Sequence, residues 1–426
     1  MSKKLWYALA AVFVVTLSLL IIGCGKGGDG GEEAGEEAAG ELTGEYTIVA
    51  LVPLTGSLGT YGENSKEAAL LAAQDINAWL AEQGRKWTLK VVPEDTQTEP
   101  AVALRKMQNW FGDGVRFFSG PQASGEASEC LNIANSNQIL FISQSSTSPT
   151  LAIADDWLFR FCTDDSIQGP AIAAVAAAAG VKHLIFAWQG DTWGDGLQGA
   201  AAAKAEELGI EVYPKELRFD PMLEDFTKEV GLLDGYVTDL LEQGATLEEI
   251  GFCIITYEQV VPFMIAASEY PQLREIAWIG SDGTVKSAAM LANDTVARFA
   301  ADTRFISAMN RPEAASRKEH VTKHIQETLG REPDAYAYNN YDIIWALALA
   351  IDEVGYDPVK VKEILPRVAD EWTKENGASG HVVLNEFGDR AFADYDFWLI
   401  NDNLEWEYVG YYDSRADIIN WERQVY

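Results

Sequence analysis

Six polar residues and a proline, Ser143-Gln144-Ser145-Ser146-Thr147-Ser148-Pro149, follow an apolar stretch and precede a short helical one. A segment so placed gathers hydroxyls and unpaired backbone N–H groups at a helix start, which is the chemistry of a carboxylate receptor. Gly120-Pro121-Gln122-Ala123-Ser124-Gly125 repeats the arrangement one strand-to-helix unit earlier and offers the Ser124 hydroxyl. Taken singly, these hydroxyls are equally good as plain helix caps, and two such loops in consecutive units favour a shared ligand. Asp282, in Ile279-Gly280-Ser281-Asp282-Gly283, is their chemical complement. A lone carboxylate after a strand can receive an ammonium group through charge-assisted hydrogen bonds, or simply turn the chain as an aspartate before glycine. Tyr61, Trp193, Tyr257 and Tyr341 lie in other loops of this kind and are candidate pocket walls.

Loops of this sort need a frame of alternating strands and helices. Strands are expected over Tyr46 to Leu51, Thr88 to Val92, Val115 to Phe118, Ile139 to Ser143, His183 to Trp188, Ile210 to Glu216, Ile250 to Thr256, Ile276 to Ile279 and Arg298 to Phe305. Helical spacing runs through Ser65 to Leu80, Ile167 to Ala179, Leu197 to Leu208, Val260 to Ser268, Glu313 to Thr328 and Tyr341 to Val354. Steady alternation predicts an α/β fold with parallel sheets covered on both faces. In such sheets ligands sit beyond the carboxyl ends of the strands, where the loops above lie. Strands return in the last segment, from Tyr395 to Trp406.

The chain has 426 residues, more than one core usually organises, so two doubly wound lobes are expected. Its formal charge of −33, from 32 basic and 65 acidic residues, excludes nucleic acid and anionic lipid as partners of the folded part. Cys130, Cys162 and Cys253 stand in apolar settings and read as buried free thiols, although one disulfide would be compatible with the count. The first 24 residues carry a different message. Lys3 and Lys4 precede an apolar run from Leu5 to Ile22, then Gly23 and Cys24, which is the build of an export signal. The run is also just long enough for an uncleaved membrane anchor. Ile21-Ile22-Gly23-Cys24 resembles the lipobox of lipoproteins, in which the cysteine is lipidated and becomes the mature N-terminus. Residues 24–44, rich in glycine and glutamate, read as an extended acidic tether.

Several constellations lead nowhere. His320 and His324 stand four apart on an expected helix, but Val321 occupies the place of the glutamate that helical zinc proteases need, and charged neighbours make the pair a solvated face. There is no nucleophile elbow and no phosphate loop, so no enzymatic activity, cofactor or metal is expected.

From Tyr46 to about Arg390 the chain resembles the branched-chain amino acid type of periplasmic binding protein, the type I solute receptors of ABC importers. The matching motifs are Pro53-Leu54-Thr55-Gly56 with Tyr61-Gly62, Asp75-Ile76-Asn77, Ser119-Gly120-Pro121, Ser145-Ser146-Thr147-Ser148-Pro149, Phe159-Arg160-Phe161, Trp193-Gly194 and Gly388-Asp389-Arg390. The resemblance implies two lobes joined by three crossings, with residues 45–161 and 305–394 in lobe 1 and 162–304 and 395–426 in lobe 2. It implies that Ser124, Ser145 and Thr147 hold an α-carboxylate, that Asp282 holds the α-ammonium, and that Tyr61, Trp193, Tyr257 and Tyr341 surround the side chain. Aliphatic amino acid receptors usually have tyrosine where Trp193 stands and often glutamate where Asp282 stands. The expectation is therefore a monomeric, lipid-anchored extracytoplasmic receptor that passes a small amino acid to an ABC permease. Trp193 keeps open an amide, urea or aromatic acid as ligand, and a sensor role is the rival outside transport.

Overall fold

Five parallel strands form the first sheet, in the order β2-β1-β3-β4-β5: β1 Thr43–Val52, β2 Lys86–Asp95, β3 Phe117–Ser119, β4 Leu140–Ser143 and β5 Leu158–Arg160. The computed structural model describes residues 41–426; Cys24, the export segment and the tether up to residue 40 lie outside them. The strand β1 begins at Thr43, two residues inside the expected tether. Its residues Ile48 to Val52 are wholly buried, as a strand covered on both faces requires. One face is covered by the helices Gly59–Glu82, Ala335–Val354 and Pro358–Asn376, the other by Pro100–Gly112 and Ser124–Asn137.

The second sheet has nine strands: β6 His183–Gln189, β7 Glu211–Val212, β8 Leu217–Phe219, β9 Ile250–Ile255, β10 Ala277–Gly280, β11 Ile306–Asn310, β12 Tyr395–Ile400, β13 Trp406–Asp413 and β14 Ile418–Trp421. Its order is β14-β13-β12-β11-β10-β9-β6-β7, with β8 also on β6. Strands β6 to β11 are parallel, and β12 to β14 add on in antiparallel sense. The helices Asp165–Ala178 and Thr192–Glu207 cover one face, and Thr227–Glu242, Val260–Ala267 and Asp294–Asp302 the other.

Two expectations need correction here. Residues 298–305 are not a strand: Asn293 caps a helix over Asp294–Asp302 by accepting from the Thr295 and Val296 amides, and Val296, Ala297, Phe299 and Ala300 bury its apolar stripe. The strand follows as β11 in the second sheet, so the chain returns to lobe 1 after Asn310 and not at residue 305. The three crossings are thus Phe161–Asp164, Arg311–Arg317 and Ala391–Asp394, read from where β5, β11 and β12 begin and end. They are laced together by backbone bonds. Arg160 N donates to Gly388 O at 2.9 Å, Arg390 N to Arg160 O at 2.9 Å, and Arg311 N to Asp394 O at 2.8 Å.

Candidate functional site

The hydroxyl-rich loop after β4 is held from below by a buried ion pair. Arg160, wholly buried at the end of β5, makes two 2.5 Å bonds to Asp389 through Nε and Nη2. Its Nη1 donates to the carbonyls of Ser146 at 2.7 Å and Ser148 at 2.8 Å. Four bonds to one planar fork fix the loop path, a use for which arginine is suited and lysine is not. The two serine loops are then tied to each other: Ser145 Oγ donates to Gln122 O at 2.9 Å, and Ser148 N to Ser124 Oγ at 3.1 Å. The Phe159-Arg160-Phe161 and Gly388-Asp389-Arg390 motifs therefore belong to one device that shapes the lobe 1 side of the cleft.

Lobe 2 supplies the acid. Asp282 opens a single turn after β10, and its carboxylate accepts from Gln168 Nε2 at 3.0 Å and from the Tyr336 hydroxyl at 2.5 Å. Both donors are neutral. Nearby Asp165, at the start of the helix Asp165–Ala178, is wholly buried, and neither of its carboxylate oxygens completes a hydrogen bond. The Thr147 hydroxyl lies close enough to favour the charged form of Asp165, yet Thr147 Oγ1 also lacks a partner. Burial, and after it the charge of Asp282, push the Asp165 carboxyl well above its ordinary range. Burial raises Asp282 too, against the bonds from Tyr336 and Gln168 that favour its ionised form. Two buried carboxyl groups that repel each other make a place where a cation is strongly preferred.

Aromatic rings close the site. Trp193 and Tyr257 stack with centroids 4.5 Å apart and planes 13° from parallel. Gly283 allows this, because a Cβ there would stand 2.9 Å from both rings and 2.5 Å from Thr256 O. Asp191 caps the helix Thr192–Glu207 through the Gly194 amide and so orients Trp193. From lobe 1, the Tyr61 hydroxyl reaches across the cleft to within 2.7 Å of Asp282 O and 2.5 Å of Val285 O. Thr60 Oγ1 donates to Glu258 Oε1 at 2.6 Å, and Glu258 N to Ser57 O at 3.2 Å, so the lobes are in their closed arrangement. Tyr61, Gln122, Ser145, Trp193, Asp282 and Tyr336 are among the residues around a cavity of about 20 Å³. A larger cavity of about 590 Å³ shares Tyr257 and carries Glu99, Asp191, Asp220 and Glu224 at its walls.

The comparisons with known proteins agree with this geometry. Residues 45–383 match the model of the periplasmic binding protein family. The chain belongs to that family. It is 30% identical over 388 residues to an uncharacterised protein of Methanocaldococcus jannaschii, covering 87% of this chain and 90% of the relative. It is 26% identical over 358 residues to the Leu/Ile/Val-binding protein homolog 2 of Brucella abortus, covering 80% and 87%. The fold is that of the leucine binding protein of Thermotoga maritima, with a TM-score of 0.71 at 20% identity over 86% of this chain and 98% of that one. The family consists of extracytoplasmic solute-binding proteins, not enzymes. Among the described residues no helix is long and apolar enough to cross a membrane.

The structure brings together Tyr61, Ser145, Trp193, Tyr257 and Asp282 around the small cavity, with Ser124 and Thr147 in the loops behind. Tyr341 is the exception. It is buried in the lobe 1 core, where its hydroxyl bonds Asp75 at 2.6 Å and accepts from Arg317 at 3.0 Å. The tyrosine in the site is Tyr336, five residues earlier, because the helix starts at Ala335 and not at Tyr341. Gln122, Asp165 and Gln168 also escaped the sequence reading. Asp334 gave a usable signal for Tyr336: it caps the helix by accepting from the Tyr336 and Ala337 amides. Cys130, Cys162 and Cys253 are free and buried, and burial pushes each thiol up.

Proposed function

We propose that this protein is an extracytoplasmic receptor, lipid-anchored through Cys24, that closes its two lobes around a small α-amino acid and passes it to an ABC importer. One observation carries the ligand class. Asp282 is buried against neutral donors only, and the neighbouring Asp165 carboxyl is buried with no hydrogen-bond partner, so a ligand ammonium is the missing partner that would favour the ionised form of both. The serine loops opposite supply hydroxyls and backbone amides for the carboxylate end, and a zwitterion would bridge both lobes. Closure driven by contacts to both lobes is the physical basis of capture. The cavity of about 20 Å³ has room for about one water. An amino acid of any size therefore enters only when the lobes part or a wall of the cavity moves.

Calorimetry with glycine, alanine, leucine and acetamide tests this reading. Wild-type protein should bind an amino acid and not the neutral amide. Asp282→Asn keeps both neutral neighbours within bonding reach and removes the charge, so affinity should fall by roughly tenfold to a hundredfold, as loss of a charge-assisted bond predicts. Unchanged affinity in a folded Asp282→Asn variant, or binding of acetamide alone, would overturn the assignment in favour of an amide receptor.

A further inference from the structure

Away from the cleft, a second cavity of about 200 Å³ lies where the chain crosses between the lobes. Lobe 2 contributes Lys286 and Asp396 to its wall, lobe 1 contributes Lys318 and Glu332, and Asn310 lies at the start of the second crossing. The two ammonium groups are lightly used. Lys286 Nζ donates to Pro333 O at 3.0 Å and lies 4.3 Å over the Trp398 ring. Lys318 Nζ donates to Pro312 O at 3.1 Å. An ammonium has three donors, so each keeps two free. Asn310 is 1% exposed, and neither its amide nitrogen nor its oxygen has a partner.

The acids at the cavity offset part of this charge without bonding either lysine. Asp396 lies 3.3 Å from Arg311 with its Oδ1 completing no hydrogen bond, and Glu332 accepts from Gln326. Burial lowers both lysines, with Asp396 and Glu332 working against that and the neighbouring Lys318 and Arg311 adding to it. In a chain of formal charge −33, two lysines lining one cavity beside an unsatisfied amide form a local exception.

We propose that this cavity is a second ligand site, for a small carboxylate held by Lys286 and Lys318 with the Asn310 amide between them. The two lysines come from opposite lobes, so an occupant bridges the lobes on the hinge side, independently of the solute in the cleft. A ligand that binds one lobe arrangement better than another shifts the population toward it. An anion here therefore favours the closed arrangement and strengthens solute capture, and capture strengthens anion binding by the same factor.

Acetate is the probe, with chloride as the second arm, each titrated at constant ionic strength into purified protein without amino acid. Melting temperature and Trp fluorescence are followed, since Trp398 lies beneath Lys286. Acetate should give a saturable rise in melting temperature, as a ligand of the folded state does. The apparent affinity should fall at least tenfold in Lys286→Met and in Lys318→Met and return in Lys286→Arg. It should persist in Ser145→Ala and Asp282→Asn, which damage the cleft, so failure of this site and failure of the amino acid site read out separately. An acetate response lost in Ser145→Ala but kept in Lys286→Met would place acetate in the cleft and overturn the proposal. So would the absence of saturation, or saturation by chloride alone.

Discussion

Glu126 is a single residue with a measurable signature. It is wholly buried and accepts from the Ala123 amide at the start of its helix, an ordinary capping arrangement. Burial nevertheless pushes its carboxyl up to about 7, against about 4.3 for an exposed glutamate. The folded state thus holds the proton more tightly than the unfolded state. The stability this confers is complete below about pH 4.3 and is lost as pH rises through about 7. Asp342, raised by burial to about 6 despite three bonds from Ala378 and Ser379, acts in the same sense. Glu126→Gln keeps an acceptor for the Ala123 amide and removes the titration. Denaturant melts should show the variant more stable than wild type by about 3–4 kcal/mol at pH 8 and nearly equal to it at pH 4. Equal stabilities at both values would mean that the Glu126 carboxyl titrates normally.

At the scale of elements, the Arg160 fork shows how distant motifs cooperate. Arg160→Met leaves Asp389 buried without its partner and frees two loop carbonyls, and breaking a buried pair in this way costs about 3–5 kcal/mol. Chemical denaturation should show a loss of that size, and amino acid affinity should fall although Arg160 does not line the cavity. An Asp389→Asn, Arg160→Met double variant should recover part of the stability and none of the affinity. How much of this was legible in the sequence differs by element. The alternation, the serine loops and Asp282 could be read because each is a local pattern: apolar runs, clustered hydroxyls, an acid after a strand. Tyr336 could not be read from periodicity, because the first turn of its helix is buried on all sides and the apolar spacing becomes clear only later. Asp165 and Gln168 look like any polar residues near a helix start, and only the fold brings them to Asp282. Residues 298–305 misled because Phe299, Ala300, Ala301 and Phe305 are too few to tell a strand from a helix by spacing, and the Asn293 cap was the deciding mark.

For the whole molecule, closure rests on scattered single bonds between the lobes. Tyr61 to Asp282 and Val285, Thr60 to Glu258, Glu258 to Ser57, Tyr336 to Asp282, Ser148 to Thr192 and Lys286 to Pro333 all join them. Each neutral bond among them contributes about 1 kcal/mol net and those to charged groups somewhat more, so removing one shifts the balance between open and closed without abolishing closure. Tyr61→Phe removes one contact without changing the ring, and small-angle scattering of the ligand-free variant should show a larger radius of gyration than wild type. An identical profile would mean that this hydroxyl does not hold the lobes. The crossings decide what kind of opening follows. Because the third is bonded to the first beside Arg160 and to the second beside Arg311, the three crossings are tied side by side. Backbone tied in this way cannot turn in one crossing without pulling on its neighbour, so a change of lobe angle is shared among all three.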